Sequence, residues 1–443
     1  MPSVPPLLRE NRDFRRFFAA QTISLFGDQV TLLALPLTAV LVLDAGPAEM
    51  GYLTAAGLLP NLLFALHAGA WVDRRGRRRQ TMVVADLGRA VLLLAAPVAY
   101  AFDLLTIEQL YVTEFLMGTL SVLFFVSYST LFVSLVPRER FVEGQSLLNG
   151  SRALSYVAGP SIGGLLVHAL SAPVTLLVDS VSYVLSASFL ARSSAVEPPT
   201  EEAESGHVVA GLRYIIHSPI MRASLAATAT INFFNFVFFA LFILYATREL
   251  DVGPGTLGLI LGAGAVGGVI GSVVTGRIGR RIGIGPAYML GCVLFPAPLI
   301  LVPLAEGPKP LVLALLFLAE FGSGLGVMML DIDSGAIFAA LIPDRLRARV
   351  SGAYMAVNYG VRPLGSLAGG ALGTTIGLRP TLWIATVGAL AGVLWLLPSP
   401  IPRLRDLPEP EDGDGPVPGE EDAGARPLRG LEDGEVADAE RPA

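Results

Sequence analysis

The sequence predicts an all-α membrane protein with twelve transmembrane helices in two six-helix, pseudo-symmetric bundles. Three observations carry that prediction. Of 443 residues, 53% are hydrophobic and only 15% charged, with a mean hydropathy of +0.62. Ordinary soluble domains carry about 25% charged residues, so these few could not cover a soluble enzyme, and the chain is too apolar to be disordered. Second, twelve apolar stretches reach the roughly 20 residues that a helix needs to cross a bilayer. Third, the two halves of the chain repeat.

In order, the spans are expected near 17–43, 50–72, 81–102, 109–136, 144–170, 172–191, 223–247, 256–276, 286–305, 311–342, 350–376 and 380–398. The first is too long, and lacks the small-residue cleavage pattern, for a signal peptide. The tenth is too long for a straight crossing and predicts a tilt or kink. Basic residues sort to one side of the spans: Arg9, Arg12, Arg15 and Arg16; Arg74, Arg75 and Arg77 to Arg79; Arg138 and Arg140; Arg277, Arg280 and Arg281; Arg345, Arg347 and Arg349. The opposite loops hold only Arg248, Lys309 and Arg379. The positive-inside rule then puts both termini in the cytoplasm, as an even number of spans requires.

A shift of 206–207 residues lays Gly69 and Gly76 on Gly276 and Gly283, Glu114 on Glu320, Pro137 on Pro343, and Gly163, Gly164 on Gly369, Gly370. A parallel six-plus-six repeat is found in many secondary transporters, with the substrate site between the halves near mid-membrane. The expected organisation is a cytoplasmic N-terminus (1–16), a first bundle (17–191), a linker (192–222), a second bundle (223–398) and an acidic cytoplasmic tail (399–443). The linker opens with the acidic Ala195–Glu204 and continues with Val208, Val209, Leu212, Ile215 and Ile216 on one side of an interfacial helix, read as a spacer.

Residue types exclude several classes. The basic residues are 30 Arg and the single Lys309. A nucleotide-driven pump needs a G-x-x-x-x-G-K-[ST] loop to cradle phosphates, and Lys309 stands in Glu-Gly-Pro-Lys-Pro instead. The four His residues form no H-E-x-x-H, and Cys292 is the one cysteine, giving no disulfide or thiolate cage. No cofactor and no metal are expected. Residues 403–443 hold 13 acids against 5 bases, which leaves the rest slightly basic and gives no support for a nucleic-acid partner. That tail is expected to be disordered and dispensable.

The loop after the second span, Gly69-Ala-Trp-Val-Asp73-Arg74-Arg75-Gly76-Arg77-Arg78-Arg79, resembles the G-x-x-x-D-R-x-G-R-[RK] signature of the major facilitator superfamily. Gly159-Pro160-Ser-Ile-Gly163-Gly164 in the fifth span resembles the G-P-x-x-G-G end of the antiporter motif in that superfamily's drug exporters. Asn11-Arg-Asp-Phe-Arg15, Gly27-Asp28 and Gly211-Leu-Arg-Tyr are similar to the branch of macrolide-efflux and enterobactin-export proteins, and the resemblance spans about residues 9–400. It implies the major facilitator fold in a bacterial cell membrane and a monomer. It also implies export of a small amphipathic or lipophilic compound (drug, antibiotic or siderophore-like) by proton antiport with alternating access. An importer or symporter of a polar metabolite would want several polar residues converging on the cavity, and spans one, seven and eight are mostly apolar. A transporter-like regulator without transport has only the acidic tail in its favour.

Some positions depart from the family pattern. Arg280 stands where the first half has Asp73, and Ser155 replaces the middle Gly of the antiporter motif. Glu114-Phe-Leu-Met-Gly118 has an acid where many drug:proton antiporters carry the Arg tied to coupling, so no coupling through that Arg is carried over.

As a gate, the loop after the second span is expected to use Gly69 for close approach, Gly76 for a tight turn, and Asp73, with Arg74 and Arg77 beside it, to meet the positive start of a neighbouring helix. The resemblance implies that this neighbour is the eleventh helix. Gly159 and Pro160 should bend the fifth helix, and Gly163 and Gly164 should let it pack closely. Ionised residues at mid-membrane are costly and usually face protein or water. Asp28 is expected to pair with Arg152, and Arg362 with Asp331 and Asp333, on matching depth. Glu114 and Glu320 are expected to line the cavity in the outer halves of helices 4 and 10. These acids and arginines are the candidates for proton coupling. Arg89 and Asp179 read as structural, and the Phe residues of helix 7 mostly as packing.

Overall fold

The structure, a computed structural model, describes residues 5–193 and 208–407. Ala195–Glu204 and residues 408–443 of the acidic tail lie outside the described residues. The tail's first residues are ordered: Ile401 is buried, and the Leu404 and Arg405 carbonyls accept from the Gly285 and Ile284 amides at 2.8 and 3.1 Å. Among the described residues, twelve helical segments cross one slab, and none is a strand. They are α1 (Arg12–Leu41), α2 (Pro47–Arg75), α3 (Arg78–Ala101), α4 (Ile107–Leu135), α5 (Phe141–Leu170), α6 (Ala172–Ala191), α7 (Pro219–Arg248), α8 (Pro254–Ile282), α9 (Ile284–Leu294), α10 (Lys309–Leu341), α11 (Asp344–Ile376) and α12 (Leu378–Ala391). Ten are long and apolar enough to cross a membrane, counting the 3-10 turns that continue α9 to Leu301 and α12 to Trp395. The other two, α2 and α11, are as long and pack on each other, and α11 is the least apolar of the twelve.

Local chemistry sets the helix ends. Asn11 caps α1 by accepting from the Asp13 and Phe14 amides at 3.1 and 2.9 Å, satisfying donors that have no partner inside the helix. Thr106 and Gln109 form a capping box at α4. Prolines open α2, α7 and α8 at positions whose N–H would be spare. Gly76 ends α2 with φ 61°, and its repeat partner Gly283 ends α8 with φ 94°, both in the region that favours glycine. The α-helical part of α9 stops short of the expected span because Pro296 and Pro298 cannot donate to the ladder.

We call the face holding residues 5 and 407 basal and the opposite face distal. In the first half α1 packs on α5 and α6, α3 on α4 and α6, and α2 on α4; in the second, α7 packs on α11 and α12, and α10 on α8 and α9. Two seams join the halves, α5 with α8 and α2 with α11. A Cβ on Gly164 would lie 2.9 Å from the Cα of Gly258, and one on Gly51 would lie 2.8 Å from the Cα of Gly370. Both contacts are near the distal ends of their helices.

Burial follows the same division. One apolar core spans both halves distally, from Leu33–Val40 of α1 through Leu93 and Leu110 to Val237–Ala246 of α7, Leu257 and Leu316. Basally the halves keep separate cores, Phe14, Phe17, Phe132 and Leu148 in one and Ile231, Tyr288, Leu330 and Ile401 in the other. The halves are joined distally and parted basally.

The linker helix Val208–His217 forms within the stretch expected to be an interfacial helix. It docks on α11, where Gly211 lies against the Arg349 backbone and Ile215 is 1% exposed, and the Tyr214 hydroxyl donates to the Leu341 carbonyl at the end of α10 at 2.8 Å. Leu212 and Ile216 stay exposed. Its apolar side is therefore split between α11 and the outside.

Candidate functional site

Between the parted halves lies a cavity of about 590 Å³, lined by α1, α2, α3, α4, α5 and α11. Its walls mix apolar and aromatic groups (Leu25, Leu62, Phe124, Phe125, Tyr128, Met355, Tyr359) with polar ones (Gln21, Ser24, Asn61, Ser121). Its charged residues are Asp28, Arg89 and Arg152.

Asp28, midway along α1, faces α3 and α6. It accepts a hydrogen bond from the Tyr183 hydroxyl of α6, and the Arg89 guanidinium of α3 lies within electrostatic reach. Arg89 pairs with Asp86 one turn earlier and packs between the rings of Phe124 and Tyr183, 4.4 Å from each centroid. Asp86 takes a second hydrogen bond from Ser186 at 2.7 Å. Asp179 accepts from Thr31 and, at 2.7 Å, from Ser182. A Cβ on Gly27 would overlap Asp179 Oδ1 and Ser182 Oγ, so the missing side chain of Gly27 makes room for this carboxylate. Three carboxylates thus surround one guanidinium between α1, α3 and α6, each also meeting a hydroxyl donor. Buried polar groups are tolerated in that form.

This arrangement corrects the expected partner of Asp28. Among the described residues no carboxylate lies within ion-pair distance of Arg152. Matching depth placed Asp28 and Arg152 at one level, but it carries no information about the direction a helix turns its side chain. Arg89 and Asp179, read as structural, belong to the Asp28 group. Asp86, which drew no attention in the sequence, completes it; its signal is an acid and an Arg three residues apart on one face of an apolar span.

Glu114 and Glu320 do not line this cavity. Each is held in a helix seam against a glycine: a Cβ on Gly57 of α2 would lie 2.6 Å from Glu114 Oε2, and one on Gly264 of α8 would lie 3.3 Å from Glu320 Oε2. Gly57 and Gly264 are themselves repeat partners, so the two seams copy each other. In the second half Arg362 lies over the rings of Tyr359 and Phe236, at 4.3 and 5.3 Å, with Asp331 in electrostatic reach but no ion pair formed. Asp333 turns away from it and is 2% exposed. Phe238 of α7 is buried and stacks on Phe242.

The antiporter-motif residues are packing positions. Gly159 and Gly163 admit α1, where added Cβ atoms would overlap Gln29 and lie 3.1 Å from the Val30 Cα. Gly164 admits α8, and Pro160 stands inside a continuous α5. In the loop after α2, Gly76 makes the expected turn, whereas a Cβ on Gly69 would meet nothing within 4 Å. Gly69 makes no close approach to a neighbouring helix. Arg74 and Arg77 are exposed, and the side chain of Asp73 lies outside what the structure describes.

A twelve-helix repeat with a cavity between its halves is the architecture of a membrane transporter, and the sequence comparisons agree. The profile of the Major Facilitator Superfamily matches residues 17–332 and 232–432. The chain belongs to this superfamily, and it is a multi-pass membrane transporter rather than an enzyme. It is similar to the multidrug efflux pump Tap of Mycolicibacterium fortuitum, with 29% identity over 414 residues covering 88% of this chain and 95% of that one. It is also similar to the uncharacterized MFS-type transporter YfiS of Bacillus subtilis, with 25% identity and coverage of 84% and 89%. Among solved structures, a variant of the nucleoside transporter NupG matches with a TM-score of 0.74 at 10% identity, covering 87% of this chain and 99% of that one. A bacterial homologue of the iron transporter ferroportin, in an inward-facing state, matches with a TM-score of 0.68 at 17% identity, covering 87% and 98%. At these identities the solved structures speak for the fold alone.

Proposed function

We propose that the protein exports amphipathic or lipophilic small molecules from the cytoplasm by proton antiport with alternating access. The observation that carries this reading is the cavity, which combines aromatic walls with a buried, hydroxyl-ringed carboxylate group at its edge. The basal face carries the basic loops, so the positive-inside rule makes it the cytoplasmic face, from which an exporter loads. Curated relatives named multidrug efflux pumps support the direction.

In this reading the bundles, residues 17–191 and 223–398, rock as units about the linker 192–222, and a monomer suffices. Asp28 is the coupling acid. Its charged form is favoured by Arg89 and by the Tyr183 hydroxyl, its neutral form by desolvation. Rocking that changes either balance moves a proton on or off Asp28 as the cavity changes sides. Asp73, next to the turn at Gly76, closes the basal side by meeting the start of α11. Glu114 and Glu320 are second candidates for the same proton, and Asp331 with Arg362 a third.

The test is uptake of a labelled lipophilic compound into inverted membrane vesicles, with and without collapse of the proton gradient. Asp28→Asn should retain binding of the compound and lose gradient-driven accumulation. If Asp28→Asn still accumulates and Glu114→Gln does not, the coupling acid is Glu114.

A further inference from the structure

The charged residues lining the cavity are not equivalent. Asp28 already accepts from Tyr183 and faces Arg89, and Arg89 is paired with Asp86 and covered by two rings. Both are spoken for within the protein. Arg152 is not: it lines the cavity from α5, is only half-buried, and has no carboxylate within ion-pair distance among the described residues. It lies about three turns of α5 (about 16 Å at 1.5 Å per residue) from the helix start at Phe141. Tyr128, which lines the same cavity, stacks on Phe17 at 5.4 Å. A guanidinium held this deep without a counter-ion is costly, and its fork of donors matches a carboxylate, sulfonate or phosphate oxygen pair. Phe125, Tyr128, Met355 and Tyr359 supply an apolar and aromatic surface within the same cavity.

We propose that Arg152 is the substrate-recognition residue of this cavity and that the preferred cargo is an amphipathic molecule bearing an acidic group. The proposal rests on the export reading above and names its substrate class. A neutral lipophile fits the aromatic wall but leaves Arg152 without a counter-ion, and an amine brings a like charge to it. An acid compensates Arg152 and leaves the Asp28–Arg89–Asp86 group undisturbed.

The experiment uses three probes with one apolar body, pyrenebutyrate, its amide and pyrenebutylamine, with the full chain in lipid nanodiscs and pyrene emission as readout. The acid should bind at least ten-fold tighter than the amide, and the amine no tighter than the amide. Arg152→Gln should bring acid and amide within about two-fold, and Arg152→Lys should keep most of the preference, which separates lost charge from lost fold. Equal affinities in the unaltered chain, a preference for the amine, or a ten-fold acid preference that survives Arg152→Gln each overturns the proposal. Gradient-driven accumulation of all three probes in inverted vesicles is measured alongside. Accumulation without acid preference sinks the inference and leaves export standing. Acid preference at Arg152 with no accumulation of any probe sinks the export reading and leaves the anion site.

Discussion

Asp86 and Arg89 show how a charge pair survives inside an apolar bundle. Both are nearly fully buried, at 0% and 3% exposure, and the pair is offset by aromatic faces and hydroxyl donors. Removing one member of a buried pair costs about 3–5 kcal/mol, whereas replacing both by groups of similar shape is often neutral. Arg89→Met should therefore lower the melting temperature of the detergent-solubilised protein markedly, and adding Asp86→Asn should recover more than half of the loss. Melting of Arg89→Met alone at the parent temperature would show that the pair is not structural. At this scale the sequence was half legible. The depth of Asp28 singled it out, because few acids stand mid-span. Its partners could not be found from depth, since a helix places residues at one level on every side. Asp86 and Arg89 were visible only as neighbours on one face of the third span.

The helices meet where glycines let them. The repeat register found Gly163 and Gly164 matching Gly369 and Gly370, and Gly76 matching Gly283, each of which has a geometric role. What the register could not supply was the opposite member of each seam, Gly51 and Gly258, because contact between helices far apart in the chain leaves no local pattern. Overpacking a tight contact costs about 1–3 kcal/mol. Gly258→Val should destabilise the distally closed state by that order and bring the basal ends of α2 and α11 together in spin-label distance measurements. Asp73→Asn should act the opposite way, by about 1 kcal/mol, and widen the same distance. Movement of both variants in one direction would dissociate the seam from the gate.

Across the whole molecule, composition, span count and loop charges gave the fold, since burial in lipid forces every backbone group into helices. The access state was not legible: a sequence must serve both states, so it encodes contacts for each. Here the distal side is closed by one shared core and by the Asp44–Arg248 ion pair across the halves, while the basal cores stay apart. All of these lie before residue 407. A chain ending at Leu407 should therefore insert and transport like the full chain in the vesicle assay; normal insertion with lost transport would favour a regulatory tail.

The glycine contacts also obey a symmetry. Gly51 and Gly258 are the same position in the two repeats, and so are Gly164 and Gly370. Position one of the first copy touches position two of the second, and position two of the first touches position one of the second. That reciprocity is the mark of an isologous two-fold interface, the kind by which two identical six-helix chains would pair. The distal seam thus gives a single chain the contact symmetry of an isologous dimer.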